Sequence, residues 1–172
     1  MGKNRAKGNT MKRPWKYDPG IINGTIDRTI KNVINWHQGS EYDEKQIRSD
    51  LLKAIKFEGA SNGYKLAKFL DDKCCWYGIN TELIEILEEI YYDHNTVYTE
   101  WVMKWVNWCN IRPDFKFGDY VVIQQFGEGI IIGISHKTAR YKVKKVFTDK
   151  YYYLIDYERV LRKAIYTEQE KL

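Results

Sequence analysis

Cysteine, proline and histidine are all scarce, at three residues each in a chain of 172. Cys74 and Cys75 are adjacent and Cys109 stands alone, which supplies neither a disulfide framework nor the spaced pairs of a zinc site. They read as small core side chains. The histidines are His37, His94 and His136, and only His94 has an acid beside it, Asp93. Neighbours on a helix point apart, so that pair is no catalytic dyad. No motif supports a cysteine nucleophile, and the Walker A, G-x-G-x-x-G, H-E-x-x-H and G-x-S-x-G patterns are missing. These absences point away from an enzyme, a metal and a cofactor. No apolar run approaches the roughly 20 residues that cross a bilayer. The opening MGKNRAKGNTMKRPWK lacks the apolar centre of a secretory leader. The expected setting is cytoplasmic, with no membrane partner.

What is present suits a folded chain. Hydrophobic residues make up 44% and aromatics 15%, enough for a packed core. Ile (19) far exceeds Ala (6), Lys (20) exceeds Arg (8), and Tyr reaches 14. That bias follows AT-rich codons, as in low-GC bacteria and their phages. Charge is divided unevenly: residues 1–19 carry a net +5, residues 20–111 a net −4 and residues 112–172 a net +4. The partition predicts a flexible basic arm over 1–20, an acidic helical domain over 21–111 and a basic second domain over 112–172.

The middle segment has helical spacing. Ile26, Ile30, Val33, Ile34 and His37 fall on one face. Ser40, with Asp43 at the capping-box position, opens a second helix with Tyr42, Ile47, Leu51, Leu52 and Ile55 inward. Ser61 starts a third that buries Tyr64, Ala67 and Leu70 or a close variant of that set. Thr81 caps a fourth with Leu83, Ile84, Leu87 and Ile90 inward, its acids Glu82, Glu85, Glu88 and Glu89 forming a solvated face. Asn95 or Thr96 begins a fifth.

Beyond Pro113 the period changes to two. YVVIQQ, EGIIIGIS, RYKVKKV and YYYLIDY alternate as short strands, with Val121, Ile123, Ile130, Ile132 and Ile134 inward or one register off. ERVLRKAIYTEQEKL reads as a short terminal helix. Phe115, Gly118, Asp119, Val121, Phe126, Gly127, Gly129 and Ile131 trace F-x-x-G-D-x-V followed by F-G-x-G-x-I. This spacing resembles Tudor/KOW-type barrels, as in the C-terminal domain of UvrD/PcrA-type helicases and the polymerase-interacting domain of CarD-type factors. It covers about 50 residues, under a third of the chain. The resemblance implies an α+β protein, an N-terminal helical bundle followed by a small antiparallel SH3-like/Tudor-like β-barrel. Such barrels bind RNA polymerase, nucleic acid, peptides or other domains, so fold alone names no partner. No helicase motor precedes the barrel, and no ATPase activity is implied. The whole layout also resembles small tailed-phage proteins.

The candidate contact surface is Lys137, Arg140, Lys142, Lys144, Lys145 and Lys150, with Tyr151 and Tyr153 following. Arg140, Lys142 and Lys144 share one strand face, opposite Tyr141 and Val143. Basic side chains beside tyrosines suit a phosphate backbone and its bases. The same pattern also describes a solvated strand whose lysines discourage edge pairing. The arm adds Lys3, Arg5, Lys7, Lys12, Arg13 and Lys16. Trp101, Trp105 and Trp108 recur at helical spacing, as a protein interface or as packing. The expectation is a phage-encoded binding protein acting on DNA, RNA or a host or phage protein complex that handles them. The alternative is an inhibitor of a host defence protein.

Overall fold

The computed structural model describes residues 12–37, 43–146 and 151–163. Among these residues four helices come first: α1 (Pro19–Trp36), α2 (Glu44–Glu58), α3 (Gly63–Cys74) and α4 (Thr81–Trp108). Five strands follow: β1 (Tyr120–Ile123), β2 (Gly127–Ser135), β3 (Arg140–Lys145), β4 (Tyr152–Asp156) and β5 (Val160–Lys163). The protein is α+β. It divides into two compact units, Arg13–Trp101 and the chain from Val102 onward, with the division inside α4.

In the helical unit, each of the first three helices begins on a side chain that accepts backbone N–H groups. Asp18 accepts from Gly20 at 2.9 Å and places Pro19 at the first position of α1, so this helix starts well before Ile26, the first residue of the apolar face read in the sequence. Asp43 is itself the cap of α2, accepting from Gln46 at 2.7 Å. Ser40 and Tyr42 lie outside the described residues. Asn62, not Ser61, caps α3, accepting from Lys65 at 3.0 Å. Asn80, not Thr81, accepts from the Leu83 N–H at 3.0 Å at the start of α4.

The buried stripes of these helices form one core. It includes Ile22, Ile26, Ile30 and Val33 of α1, Ile47, Leu51 and Ile55 of α2, Leu66 and Leu70 of α3, and Leu83, Leu87 and Ile90 of α4. Each fully buried aliphatic side chain contributes about 1.5–3 kcal/mol. Tyr64, expected inward, is 62% exposed; Leu66 takes the inward place beside Ala67 and Leu70. The cysteines are not core residues either. Cys75 is exposed in the left-handed region (φ 57°) at the end of α3, and Cys74 and Cys109 are half-buried.

The expected break between a fourth and a fifth helix does not occur. Asn95 Nδ2 donates to the Tyr91 carbonyl and Thr96 Oγ1 to the Tyr92 carbonyl, both at 2.9 Å. These polar side chains bond back onto the preceding turn instead of capping a new one, so the helix runs through.

The sheet has strand order β4-β3-β2-β1-β5, with all pairs antiparallel. The segment expected to begin a terminal helix forms a 3-10 turn (Tyr157–Arg159) and then β5, in which Val160 is buried opposite Ile123. Residues 164–172 lie outside the described residues. Among the described residues β4 and β5 are the two edges, so the sheet is not the closed barrel expected from the sequence. It is nevertheless rolled. Asp156 to Val160 is four residue steps, at most about 14 Å of chain. Edges four strand spacings apart in a flat sheet would be about 19 Å away. Register shifts at Val122/Ile123 and Ile131/Gly133 supply the bends.

The inward side holds Val121, Ile123, Ile131, Tyr141, Val143 and Ile155. In β2 the buried isoleucine is Ile131, not Ile130, Ile132 or Ile134, which are half-buried. Gly129 explains that register: a Cβ there would lie 2.5 Å from Val143 Cγ1, so the position faces the core but admits no side chain.

Candidate interaction face of the sheet

The geometry of β3 and β4 decides which candidates act together. Lys142 lies opposite Leu154 and Lys144 opposite Tyr152, and directly paired residues share a face. The Lys142 Nζ sits 3.7 Å from the centroid of the Tyr152 ring, a cation–π contact of about 0.5–1 kcal/mol at an exposed site. Its aliphatic stem passes over Gly133, where a Cβ would lie 3.2 Å from Lys142 Cβ. Tyr152 is 56% and Leu154 59% exposed. The outward face thus joins two lysines to an aromatic ring and an aliphatic side chain on an edge strand.

Other candidates belong elsewhere. Arg140 is on the same face but is committed to Asp156, Nε to Oδ1 at 2.8 Å. Tyr153 pairs with Val143 and so points to the opposite side. There its ring meets Phe126 edge-on at 4.6 Å, and Lys145 Nζ lies 5.5 Å from the Phe126 ring. Lys145 and Tyr153 therefore form a second cluster. Lys137 occupies the turn before β3, Tyr151 is exposed just ahead of β4, and Lys150 is outside the described residues. Sequence reasoning passed over Tyr152 and Leu154. Their signal was the alternation of YYYLI, which becomes informative only with the pairing register.

The tryptophans are not equivalent. Trp105 is buried, Trp101 is 38% exposed and Trp108 is 79% exposed. Of the arm, Lys12 is exposed and Arg13 and Lys16 are half-buried; Lys3, Arg5 and Lys7 lie outside the described residues.

Titratable groups in the helical unit have structural partners. Asp93 accepts from Thr29 at 3.0 Å, whereas His94 Nδ1 lies 3.1 Å from Thr25 Oγ1, so the adjacent pair reaches different threonines. Burial, then the Lys16 charge, lowers the His94 pKa, against an opposing Lys16 backbone contact. Burial likewise lowers that of His37. Asp50 is buried and accepts from Gln46 (2.9 Å), Lys53 (2.9 Å) and Trp76 (3.2 Å). Burial pushes its pKa up, but these donors outweigh it and the net direction is down. Burial raises the Cys74 thiol pKa, opposite to what a nucleophile needs.

Among the described residues no group of three or more His, Cys, Asp or Glu is placed to hold a metal ion, and no helix is long and apolar enough to cross a membrane. Comparison with protein-family models, curated proteins and solved structures returns no match.

Proposed function

We propose that this protein is a non-enzymatic binding protein that contacts nucleic acid, alone or within a nucleic-acid-handling complex, through the outward face of β3 and β4. The observation that carries the reading is the grouping of Lys142 and Lys144 with exposed Tyr152 and Leu154 on one face. Lysines two residues apart on a strand sit about 6.6 Å from one another, a spacing suited to successive phosphates of an extended strand. A tyrosine beside them offers a surface for base stacking. The strand order, the 3-10 turn ahead of β5 and the rolled sheet support an SH3-like/Tudor-like reading of this unit. The codon-linked composition supports a phage origin.

The test is fluorescence anisotropy with labelled DNA and RNA, single-stranded and duplex, across a salt series. Wild-type protein is expected to bind with a log–log salt slope of about −1.5 to −2, from two to three phosphate contacts on a single strand. Lys142→Glu with Lys144→Glu should weaken binding at least tenfold while leaving circular dichroism unchanged. Absence of salt-sensitive binding to every probe would remove the direct nucleic-acid reading.

One observation favours the second reading, inhibition of a host defence protein through the helical unit. A cleft of about 480 Å3 runs between Trp15, Tyr17, Ile22 and Phe57. Trp15 is 67% and Phe57 75% exposed, and exposed aromatics at a concavity suit a protein partner. If Trp15→Ala with Phe57→Ala abolished function while the lysine reversals spared it, this second reading would replace the first.

A further inference from the structure

We propose that a separate cleft in the sheet-bearing unit, beside the end of α4, is a phosphate-binding site. It has a volume of about 170 Å3 and is bounded by Arg112, His136 and Lys137, with Asn107 and Asn110. Val106 and Ile111 complete the lining, and no lining residue is a carboxylate. Arginine offers a planar fork of donors, lysine a point charge and asparagine an N–H2 group. Donors of three kinds from two chain segments suit an oxyanion with several oxygens.

The position of the helix end offers a simpler explanation for the cations, and the backbone argues against it. A helix C-terminus carries about half a negative charge, which alone would attract a basic side chain. Here two carbonyls of the last turn already have donors: the Ile111 N–H donates to Val106 O at 3.0 Å and the Asn110 N–H to Asn107 O at 3.4 Å, after the Cys109 N–H closes onto Trp105 O at 2.9 Å. With Asn110 at φ 48°, this is a completed Schellman-type cap. The backbone thus closes this end without Arg112 or Lys137, and their two formal charges exceed the half charge of the helix end.

The cleft cations are engaged differently from three other cations of the same unit. Arg140 pairs with Asp156, Lys163 with Asp119, and Arg159 donates to the Gln124 carbonyl. Among the described residues, Arg112, His136 and Lys137 enter no ion pair or side-chain hydrogen bond. Two cations and an imidazole around one concavity, with no side-chain partner among the described residues, suit an anion.

Phosphate could arrive free or as the end of a nucleic-acid strand. The second source rests on the function proposed above: Lys137 lies just ahead of β3, so a strand anchored here would lead toward Lys142 and Lys144.

Two arms test the site in the full-length protein. In the first, inorganic phosphate is titrated at constant ionic strength, against chloride, while NMR follows the Arg112, His136, Asn107 and Asn110 side chains. Saturable shifts specific to phosphate, lost in Arg112→Gln with Lys137→Gln, are expected. Shifts that match chloride, or that survive the double substitution, overturn the site. In the second, oligonucleotides with a 5′-phosphate, a 3′-phosphate or neither are compared. At least one phosphorylated end should bind about tenfold more tightly than the unmodified probe, and the Arg112/Lys137 double variant should abolish that gain alone. Phosphate binding without any such preference supports the site and assigns it to a free phosphate compound. Phosphate binding without oligonucleotide binding keeps the site and removes the nucleic-acid function.

Discussion

At the scale of single residues, two kinds of buried position are sensitive to change: a close backbone approach and a buried titratable side chain. A Cβ at Gly63 would stand 2.5 Å from the Ile84 carbonyl oxygen and 2.6 Å from the Glu88 nitrogen, and main-chain atoms cannot swing aside. Gly63→Ala is expected to cost about 1–3 kcal/mol through overpacking, outweighing alanine's helix-propensity gain of up to about 1 kcal/mol. Thermal unfolding measures this as a lowered midpoint. The buried histidines give a pH dependence with a definite sign. In the fold, His37 and His94 have pKa values below the ordinary 6.5. Between that value and the lowered native one, the unfolded chain binds more protons than the folded chain. Their contribution is complete above about pH 6.5 and is lost as pH falls below it. Denaturant midpoints should drop from about pH 7.5 to about pH 5.5, and His94→Asn should flatten that slope whatever it does to stability at the upper end.

At the scale of elements, α4 is the sharpest difference between sequence and structure. Asn95 and Thr96 look like the start of a helix because short polar side chains favour caps. Their bonds to Tyr91 and Tyr92 keep the helix continuous instead. Asn95→Pro would be mild at a true helix start. Within a continuous helix it is expected to cost about 3 kcal/mol or more, read as lost helicity and an early unfolding transition. The stripes of α2 and α3 were largely legible because Ile47, Leu51, Ala67 and Leu70 keep helical spacing through surrounding charge, with Leu66 taking the place expected of Tyr64. β5 was not. Val160-Leu161-Arg162-Lys163 has no strong alternation of its own, and its strand form depends on pairing with β1. The register of β2 was ambiguous for a related reason: three consecutive isoleucines offer an apolar side chain to either face, and the choice falls to Gly129.

At the scale of the whole molecule, the charge partition readable in the sequence coincides with a change from helices to sheet. The lysines of β3 could be assigned to one face from alternation alone. Their aromatic companion could not, because which of three consecutive tyrosines joins them depends on the connection between β3 and β4. The cleft of Arg112, His136 and Lys137 was less legible still, since those residues meet only after the sheet has folded back on the end of α4. β4 has one further consequence. Sheet edges are ordinarily guarded by charge, proline or a bulge. Tyr152, Tyr153, Leu154 and Ile155 offer none of these, and among the described residues no strand covers the outer side of β4. What guards this edge is its neighbour: two copies meeting along β4 would bring Lys142 and Lys144 of each toward the same charges of the other. That repulsion reaches about 10 Å at 0.1 M ionic strength and about 3 Å at 1 M. The concentrated salt used to strip nucleic acid from a basic protein during purification would therefore silence the guard, and the cleanest preparations would be the ones most inclined to gel.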